Sequence, residues 1–451
     1  MTKYVTANVR PLASLDILSP QEVERLQDAS ESGLYPLFRQ CALAALNCGS
    51  DVDSIDEMLD ENQEFDIKIS TRHNGIELEL TNAPASAFVG TKILPNIREL
   101  LFSVVRDLLY TTQQFEGLNG DLESQITEYV YHHIRNAGAF KPHTKPNVVA
   151  CWGGHSLKDP SEGEYSQEIG YELGIRKLNT CTGSGPGVMS FVHEGAMLGH
   201  YKQRFEGVTY GMSEPQILAA EAPNHFNACF MVLPTIELRL QAFIQFSAGI
   251  IVFPGGAGTL EEIMAAITVA LMPENRKLPF PMIFTGPESS RTYWEAIDHL
   301  IRTTLGDEAA GTYQIIIDDA VLVAERMHEM LEVVYQHRTE HNQSYHFNWE
   351  LKIPESLQQE FIPSHENMAA LNLNKDQTAH SLAAEMRKAM SGIVAGNVKV
   401  PWTGIVKEKG PYQLNGDAEI MHELDTVLRI FCAQGRMKIA GNYVPCYEIV
   451  E

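Results

Sequence analysis

The sequence predicts an α/β protein with a doubly wound, Rossmann-like parallel-sheet central domain, flanked by smaller N-terminal α+β and C-terminal domains. Three observations carry this reading. Between about 141 and 335, short apolar runs alternate with helix-length segments. Three of those runs lead directly into glycine-rich loops. Ahead of them, residues 65–69 and 76–80 alternate apolar and polar side chains around an Asn74-Gly75 pair, which is a hairpin signal.

Along residues 1–140, apolar positions recur at helical spacing over 35–46 and 97–109, so this region reads as largely helical around the hairpin. The central apolar runs fall at 148–152, 180–182, 208–212, 229–233, 249–253, 281–284 and 314–317. Helices are expected between them at 164–174, 187–199, 235–248, 259–272, 291–304 and 319–333. Strands this apolar suit a parallel sheet covered on both faces. Residues 336–451 open on a polar stretch, 337–343, that reads as a linker, and they carry turn-rich pieces but no motif that names a chemistry. The expected domains are therefore 1–140, 141–335 and 336–451, the outer two controlling access or assembly.

A chain of 451 residues exceeds one ordinary core, and 44% hydrophobic with 20% charged residues is the composition of a folded protein. A net charge of -24 repels nucleic-acid backbones and excludes a general nucleic-acid partner. The uncharged stretch 240–260 has the length of a membrane span, but Gln241, Gln245, Ser247, Pro254 and three glycines mark it as the end of a helix, a buried strand and a loop. No membrane association is expected. Seven cysteines without a C-x-x-C pair indicate neither disulfides nor zinc, and the N-terminus lacks an apolar signal. A cytoplasmic location follows as an expectation, as does the absence of any metal or cofactor requirement.

Ligands of open parallel sheets bind beyond the carboxyl ends of the strands. Gly153-Gly154-His155-Ser156, Gly183-Ser184-Gly185-Pro186-Gly187-Val188-Met189 and Pro254-Gly255-Gly256-Ala257-Gly258-Thr259 all occupy that position. Glycine lets backbone N–H groups approach an anion, and a following helix N-terminus adds partial positive charge. Three such loops point to a phosphate-bearing ligand, although each alone is also what a tight turn looks like. None carries the Gly-Lys-Ser/Thr of a P-loop, and the second reads G-x-G-x-G-V rather than G-x-G-x-x-G. Neither ATP hydrolysis nor hydride transfer is supported.

The third loop runs into Thr259-Leu260-Glu261-Glu262. Thr-x-x-Glu has the spacing of a capping box, with Thr259 capping the helix and Glu262 reaching back. Alternatively, a first-turn carboxylate at Glu262 polarises ribose hydroxyls or water beside a cradled sugar phosphate. Arg239 lies early in the helix leading back to the 249–253 strand, which should bring it to the level of the 254–259 loop. Its rigid fork of donors suits phosphate or ribose recognition, against the plain reading of a surface arginine paired with Glu237.

Arg239, followed 15 residues later by Pro254-Gly255-Gly256-Ala257-Gly258-Thr259-Leu260-Glu261-Glu262, resembles the LOG ("Lonely Guy") family of nucleoside-monophosphate phosphoribohydrolases, long mislabelled as lysine decarboxylases. That likeness covers about 141–335. The full layout resembles a narrower group, the bacterial pyrimidine/purine nucleotide 5′-monophosphate nucleosidases, through Cys151-Trp152-Gly153-Gly154-His155-Ser156, Pro363-Ser364-His365-Glu366-Asn367-Met368 and Ser391-Gly392-Ile393-Val394-Ala395-Gly396-Asn397-Val398-Lys399. The resemblance implies hydrolysis of the N-glycosidic bond of GMP, IMP, AMP, CMP and UMP. It also implies assembly into a homotetramer and regulation by guanosine tetra- or pentaphosphate alarmones.

It places Glu262 and Arg239 in catalytic roles, with Gly154, Ser156, Gly185, Gly187, Met189, Gly255, Gly256, Gly258 and Thr259 binding substrate. Lys68, Arg72 and Arg98 are weaker candidates for an anionic regulator, more simply read as solvated surface charges. A cytokinin-type phosphoribohydrolase and a non-catalytic nucleotide-binding module remain as alternatives. The first needs only the central unit, and the second does not need both Arg239 and Glu262. A lysine decarboxylase would use pyridoxal phosphate on a lysine, and none lies in the three loops.

Overall fold

A computed structural model describes residues 3–11, 15, 18–50, 55–72, 75–111, 122–141, 144–157, 159–399, 401–437 and 445–449. Its α-carbon contacts gather into two compact units. One comprises 1–140, 183–186 and 210–242; the other comprises 141–182, 187–209 and 243–451.

In the first unit the period-two stretches form an antiparallel pair, β2 (Asp66–Arg72) with β3 (Gly75–Pro84), in register from Asp66↔Thr81 to Arg72↔Gly75. Asn74 of the expected turn lies outside the described residues. An edge strand that the pattern did not announce, β1 (Tyr4–Val9), pairs with the free side of β3. A short hairpin follows, β4 (Phe88–Val89) with β5 (Lys92–Ile93). The first helix, Pro20–Glu31, begins at a full capping box, Ser19 with Glu22. The apolar helix Tyr35–Leu46 and the helix Pro95–Val104 pack with the sheet around Leu26, Phe38, Leu43, Leu78, Leu80 and Leu101. The region is thus α+β, its helices packed with a small antiparallel sheet. Lys68 is exposed beside Asp66, 3.8 Å away.

Seven further strands form the parallel sheet: β6 (Val148–Trp152), β7 (Asn179–Thr182), β8 (Thr209–Ser213), β9 (Cys229–Val232), β10 (Gly249–Val252), β11 (Met282–Gly286) and β12 (Gln314–Ile317). Their order is β12-β11-β10-β6-β7-β8-β9. From β6 the chain adds strands in one direction and then, from β10, in the other. The switch point therefore falls between β6 and β10, which pair from Gly249↔Val149 to Val252↔Trp152.

In the second unit the helices Pro160–Ile175 and Ala320–Glu340 bury Ile169, Leu173, Val323 and Met327 against Val149, Ile251 and Ile283. The stretch 240–260 resolves into the end of the helix Ile236–Phe246, the buried strand β10, a loop and the start of the helix Ala257–Leu271. No described helix is long and apolar enough to cross a membrane.

The expected linker at 337–343 is a correction. Ala320–Glu340 runs through most of it, because Leu331, Val334 and Arg338 continue one buried face, and Arg338 Nη1 donates to the carbonyl of Tyr345 at 3.1 Å. The helices Ala379–Val398 and Ala418–Ala433 and the parallel pair β13 (Tyr412–Leu414) and β14 (Tyr447–Ile449) follow. Ala379–Val398 packs along Ala257–Leu271.

The first unit buries an ionisable cluster. Arg106 makes two 2.7 Å hydrogen bonds to Asp107, which also accepts from the Val232 N–H at 2.8 Å. His133, fully buried, lies 4.0 Å from Asp107. Burial pushes its imidazole down to about 4, against the pull of Asp107 and with the help of Arg106. His133 therefore stays neutral in the folded chain while an unfolded chain protonates it near 6.5. The sign follows: this stability is complete above about pH 6.5 and drains away as pH falls toward 4, each unit of separation being worth about 1.4 kcal/mol. Chemical denaturation from pH 7 to 5 is expected to show a shallower pH slope in His133→Phe than in the parent. Equal slopes would contradict this.

Candidate active site

The switch point brings two of the three glycine loops together. β6 and β10 are hydrogen-bonded neighbours, so the loops leaving their carboxyl ends are adjacent. The Gly154 N–H donates to the Pro254 carbonyl at 3.1 Å, and the Gly154 carbonyl accepts from the Val188 N–H at 3.1 Å. The Gly154 loop thus ties the 254–259 bend to the start of the helix Val188–Lys202.

Gly187 caps that helix at φ +67, ψ -137, a region closed to most side chains. A Cβ there would lie 2.4 Å from the His155 carbonyl oxygen and 2.6 Å from that of Gly154. Gly187→Ala should cost about 1–3 kcal/mol from the backbone conformation alone. It should also lower kcat/KM by about ten-fold or more by displacing Gly154 and His155. Melting and steady-state assays of one preparation check both, and an unchanged variant would show that this junction does not shape the site. Ser156 is half-buried at the end of its loop, and Met189 is buried in the first turn of the helix.

The 254–259 bend differs from the capping-box expectation. The helix begins at Ala257 with Gly256 as its cap, and no side chain caps it. Thr259 is therefore the third helical residue, and Glu262 lies in the second turn, too far along to reach back to the cap. The reason is local: glycine at 255 and 256 lets the backbone enter the helix three residues earlier than Thr259 would. Helix N-termini carry orphan N–H donors, and here the donors of Ala257, Gly258 and Thr259 fall at the carboxyl edge of the sheet. Glu262 is buried to within 9% of its surface. Its neighbour Glu261 is engaged by Arg387 of the helix Ala379–Val398 at 3.4 Å.

Arg239 and Gly185 belong to the first unit. Arg239 is buried rather than a surface arginine, and its Nε donates to the Met212 carbonyl near the carboxyl end of β8 at 3.0 Å. The loop holding Gly185 is braced by Asn224, whose side-chain amide donates to the carbonyls of Ser184 and Gly185, each at 2.9 Å. Asn227 donates to the Asn224 carbonyl at 2.8 Å.

Sequence reasoning missed these two asparagines, and it missed a group at the bend itself. The Gly255 N–H donates to Tyr293 Oη at 3.2 Å, and Arg436 lies over the Tyr293 ring, 5.0 Å from its centroid. Burial lifts the Tyr293 phenol to about 12, so it stays protonated. No motif announces Tyr293 or Arg436, because each acts through a fold-dependent contact with the loop.

Comparison with known proteins gives the following. A family model described as pyrimidine/purine nucleotide 5′-monophosphate nucleosidases matches residues 7–115. One described as possible lysine decarboxylase matches 189–333, and one described as pyrimidine/purine nucleotide monophosphate nucleosidase, C-terminal, matches 331–450. The pyrimidine/purine nucleotide 5′-monophosphate nucleosidase of Escherichia coli (strain K12) is 44% identical over 450 residues, 98% of this chain and 99% of that protein. Its counterpart from Escherichia coli O157:H7 gives the same figures. Among solved structures, the molybdenum cofactor binding protein from the phototrophic bacterium Rippkaea orientalis matches at 19% identity and a TM-score of 0.30, over 43% of this chain and 98% of that one. The Moco carrier protein from Chlamydomonas reinhardtii matches at 17% identity and a TM-score of 0.29, over 42% and 99%.

Proposed function

This chain belongs to the pyrimidine/purine nucleotide 5′-monophosphate nucleosidases, and we propose that it hydrolyses the N-glycosidic bond of purine and pyrimidine nucleoside 5′-monophosphates, releasing free base and ribose 5-phosphate. The observation that carries this reading is the 254–259 bend, a helix entrance without a side-chain cap, one turn ahead of the buried carboxylate Glu262.

In the reaction, the C1′–N bond breaks, the water oxygen bonds to C1′, and the water proton ends on the departing base. Positive charge builds on the ribose as the base leaves. Backbone N–H groups of Gly256, Gly258 and Thr259 hold the phosphate, with Gly255, whose own N–H is given to Tyr293, shaping the bend and Gly154 and Ser156 beside them. Glu262 binds ribose hydroxyls or orients the water, and its charge stabilises the oxocarbenium-like transition state. To Arg239 we assign positioning of the phosphoribosyl group or assistance to the departing base, a role taken from the family motif. From the family likeness alone we also assign substrate contacts to Gly185, Gly187 and Met189.

We further propose, on family likeness alone, a cytoplasmic homotetramer regulated by guanosine tetra- or pentaphosphate. The outer regions, 1–140 and 336–451, are proposed to govern access to the central domain or assembly. Release of free base from GMP, IMP, AMP, CMP and UMP, with and without alarmone, tests the reading. Base release from both classes of nucleotide is expected. A chain that binds monophosphates without releasing base would instead be a binding module, and one confined to cytokinin nucleotides would be the narrower phosphoribohydrolase.

A further inference from the structure

We propose that Arg436, far from the signature motif in sequence, is a positioning residue that holds the phosphate-binding bend in shape, with Glu162 and Tyr293 as its partners. The inference rests on the nucleosidase reading of that bend.

The geometry starts at the end of the helix Ala418–Ala433. Gly435 turns the chain at φ +63, and the Arg436 N–H closes back on the Phe431 carbonyl at 2.8 Å, the six-to-one bond of a Schellman termination. This fixes the Arg436 backbone against the bend: a Cβ on Gly256 would lie 2.3 Å from the Arg436 carbonyl oxygen. The side chain is held as firmly. Nη1 and Nη2 donate to the two oxygens of Glu162 at 2.9 and 2.5 Å, and Nε donates to Gln434 at 2.6 Å.

Glu162 sits in the first turn of the helix Pro160–Ile175, which follows the Gly153–Ser156 loop in the chain. Glu162 is buried and Arg436 largely so, with side-chain exposures of 4% and 11%. Burial opposes the guanidinium charge, and the hydrogen bonds and charge of Glu162 outweigh it. The guanidinium also covers the ring of Tyr293, whose hydroxyl accepts the Gly255 N–H.

A buried ion pair is a poor way to gain stability, since apolar side chains of similar volume fill such space at less desolvation cost. A bidentate pair does define direction and distance. Here the fork joins the helix after the first loop to a C-terminal residue whose backbone abuts Gly256. Its guanidinium covers the tyrosine that receives the Gly255 N–H. The residues on either side of the phosphate-binding donors are thereby fixed before substrate arrives, which is what preorganised binding requires.

The test compares R436M, R436K and E162Q with the parent full-length enzyme. Readouts are kcat and KM for GMP, the inhibition constant of ribose 5-phosphate and the melting temperature. R436M is expected to weaken ribose 5-phosphate by about ten-fold or more, with a matching rise in KM and a smaller fall in kcat. R436K, which keeps the charge but loses the fork, should recover only part of this. E162Q should reproduce the R436M profile, and the double variant should be little worse than either single one, because both break one unit. Ribose 5-phosphate affinity within about two-fold of the parent in R436M would overturn the proposal. So would losses in the two single variants that simply add, or a loss restored by stabilising the fold. Should R436M not fold, E162Q alone decides by the same affinity criterion. A parent enzyme that ignored ribose 5-phosphate and released no base would instead count against the nucleosidase reading.

Discussion

Glu262→Gln is expected to lower kcat for GMP or AMP by about 10²–10³-fold, with the melting temperature unchanged or raised. The substitution keeps the size and hydrogen-bonding reach of the side chain and removes its charge. If the charge stabilises an oxocarbenium-like ribose, the loss falls on kcat, since the ground state carries no such charge. Stability is expected to hold because the structural role once available to this residue is not in use. The helix cap is Gly256, and Glu262 lies in the second turn, so no capping box is broken. Glutamine preserves the size of this buried side chain, so neither the cap nor the surrounding packing is undone. Measuring turnover and thermal melting on one preparation checks both halves. Full activity in Glu262→Gln would take the carboxylate out of the chemistry.

Removing the phosphate from the substrate is expected to have a still larger effect. Guanosine and adenosine should show kcat/KM values lower than those of their 5′-monophosphates by about 10³-fold or more. The phosphate takes no part in bond breaking, so its whole contribution is binding energy spent on orienting C1′. That energy comes from backbone donors at the entrance of Ala257–Leu271, positioned before substrate arrives. Adding inorganic phosphate to the nucleoside reaction should restore part of the rate, since the occupied bend then organises the neighbouring sugar site. Comparable turnover of nucleosides and nucleotides would mean that the glycine loops are turns and nothing more.

Much of this site was legible in the sequence, and the reasons are specific. Strands buried on both faces appear as apolar runs, and 148–152 matches the observed β6 end to end; 314–317 also matches β12, which lies part-exposed at the edge of the sheet. The glycine loops were legible because backbone approach to an anion restricts residue type in a way few other constraints do.

Strand order was not legible, since the apolar runs are nearly interchangeable. Yet it is the β6–β10 pairing that sets Gly154 against Pro254. Thr259 was misplaced by three residues because its spacing to Glu262 matches a capping box, whereas the two glycines before it allow an earlier helix start. The segment 337–340 looked like a linker because its charges hide a continuing buried face at Arg338. Glu162 and Arg436 are 274 residues apart, with no periodicity to connect them, so only the folded chain shows that they meet.

The most direct measurement is a crystal structure of Glu262→Gln soaked with GMP. The account predicts phosphate oxygens within hydrogen-bond distance of the N–H groups of the 254–259 bend, with the ribose C1′ facing residue 262. A nucleotide bound elsewhere, with its phosphate away from this bend, would contradict it.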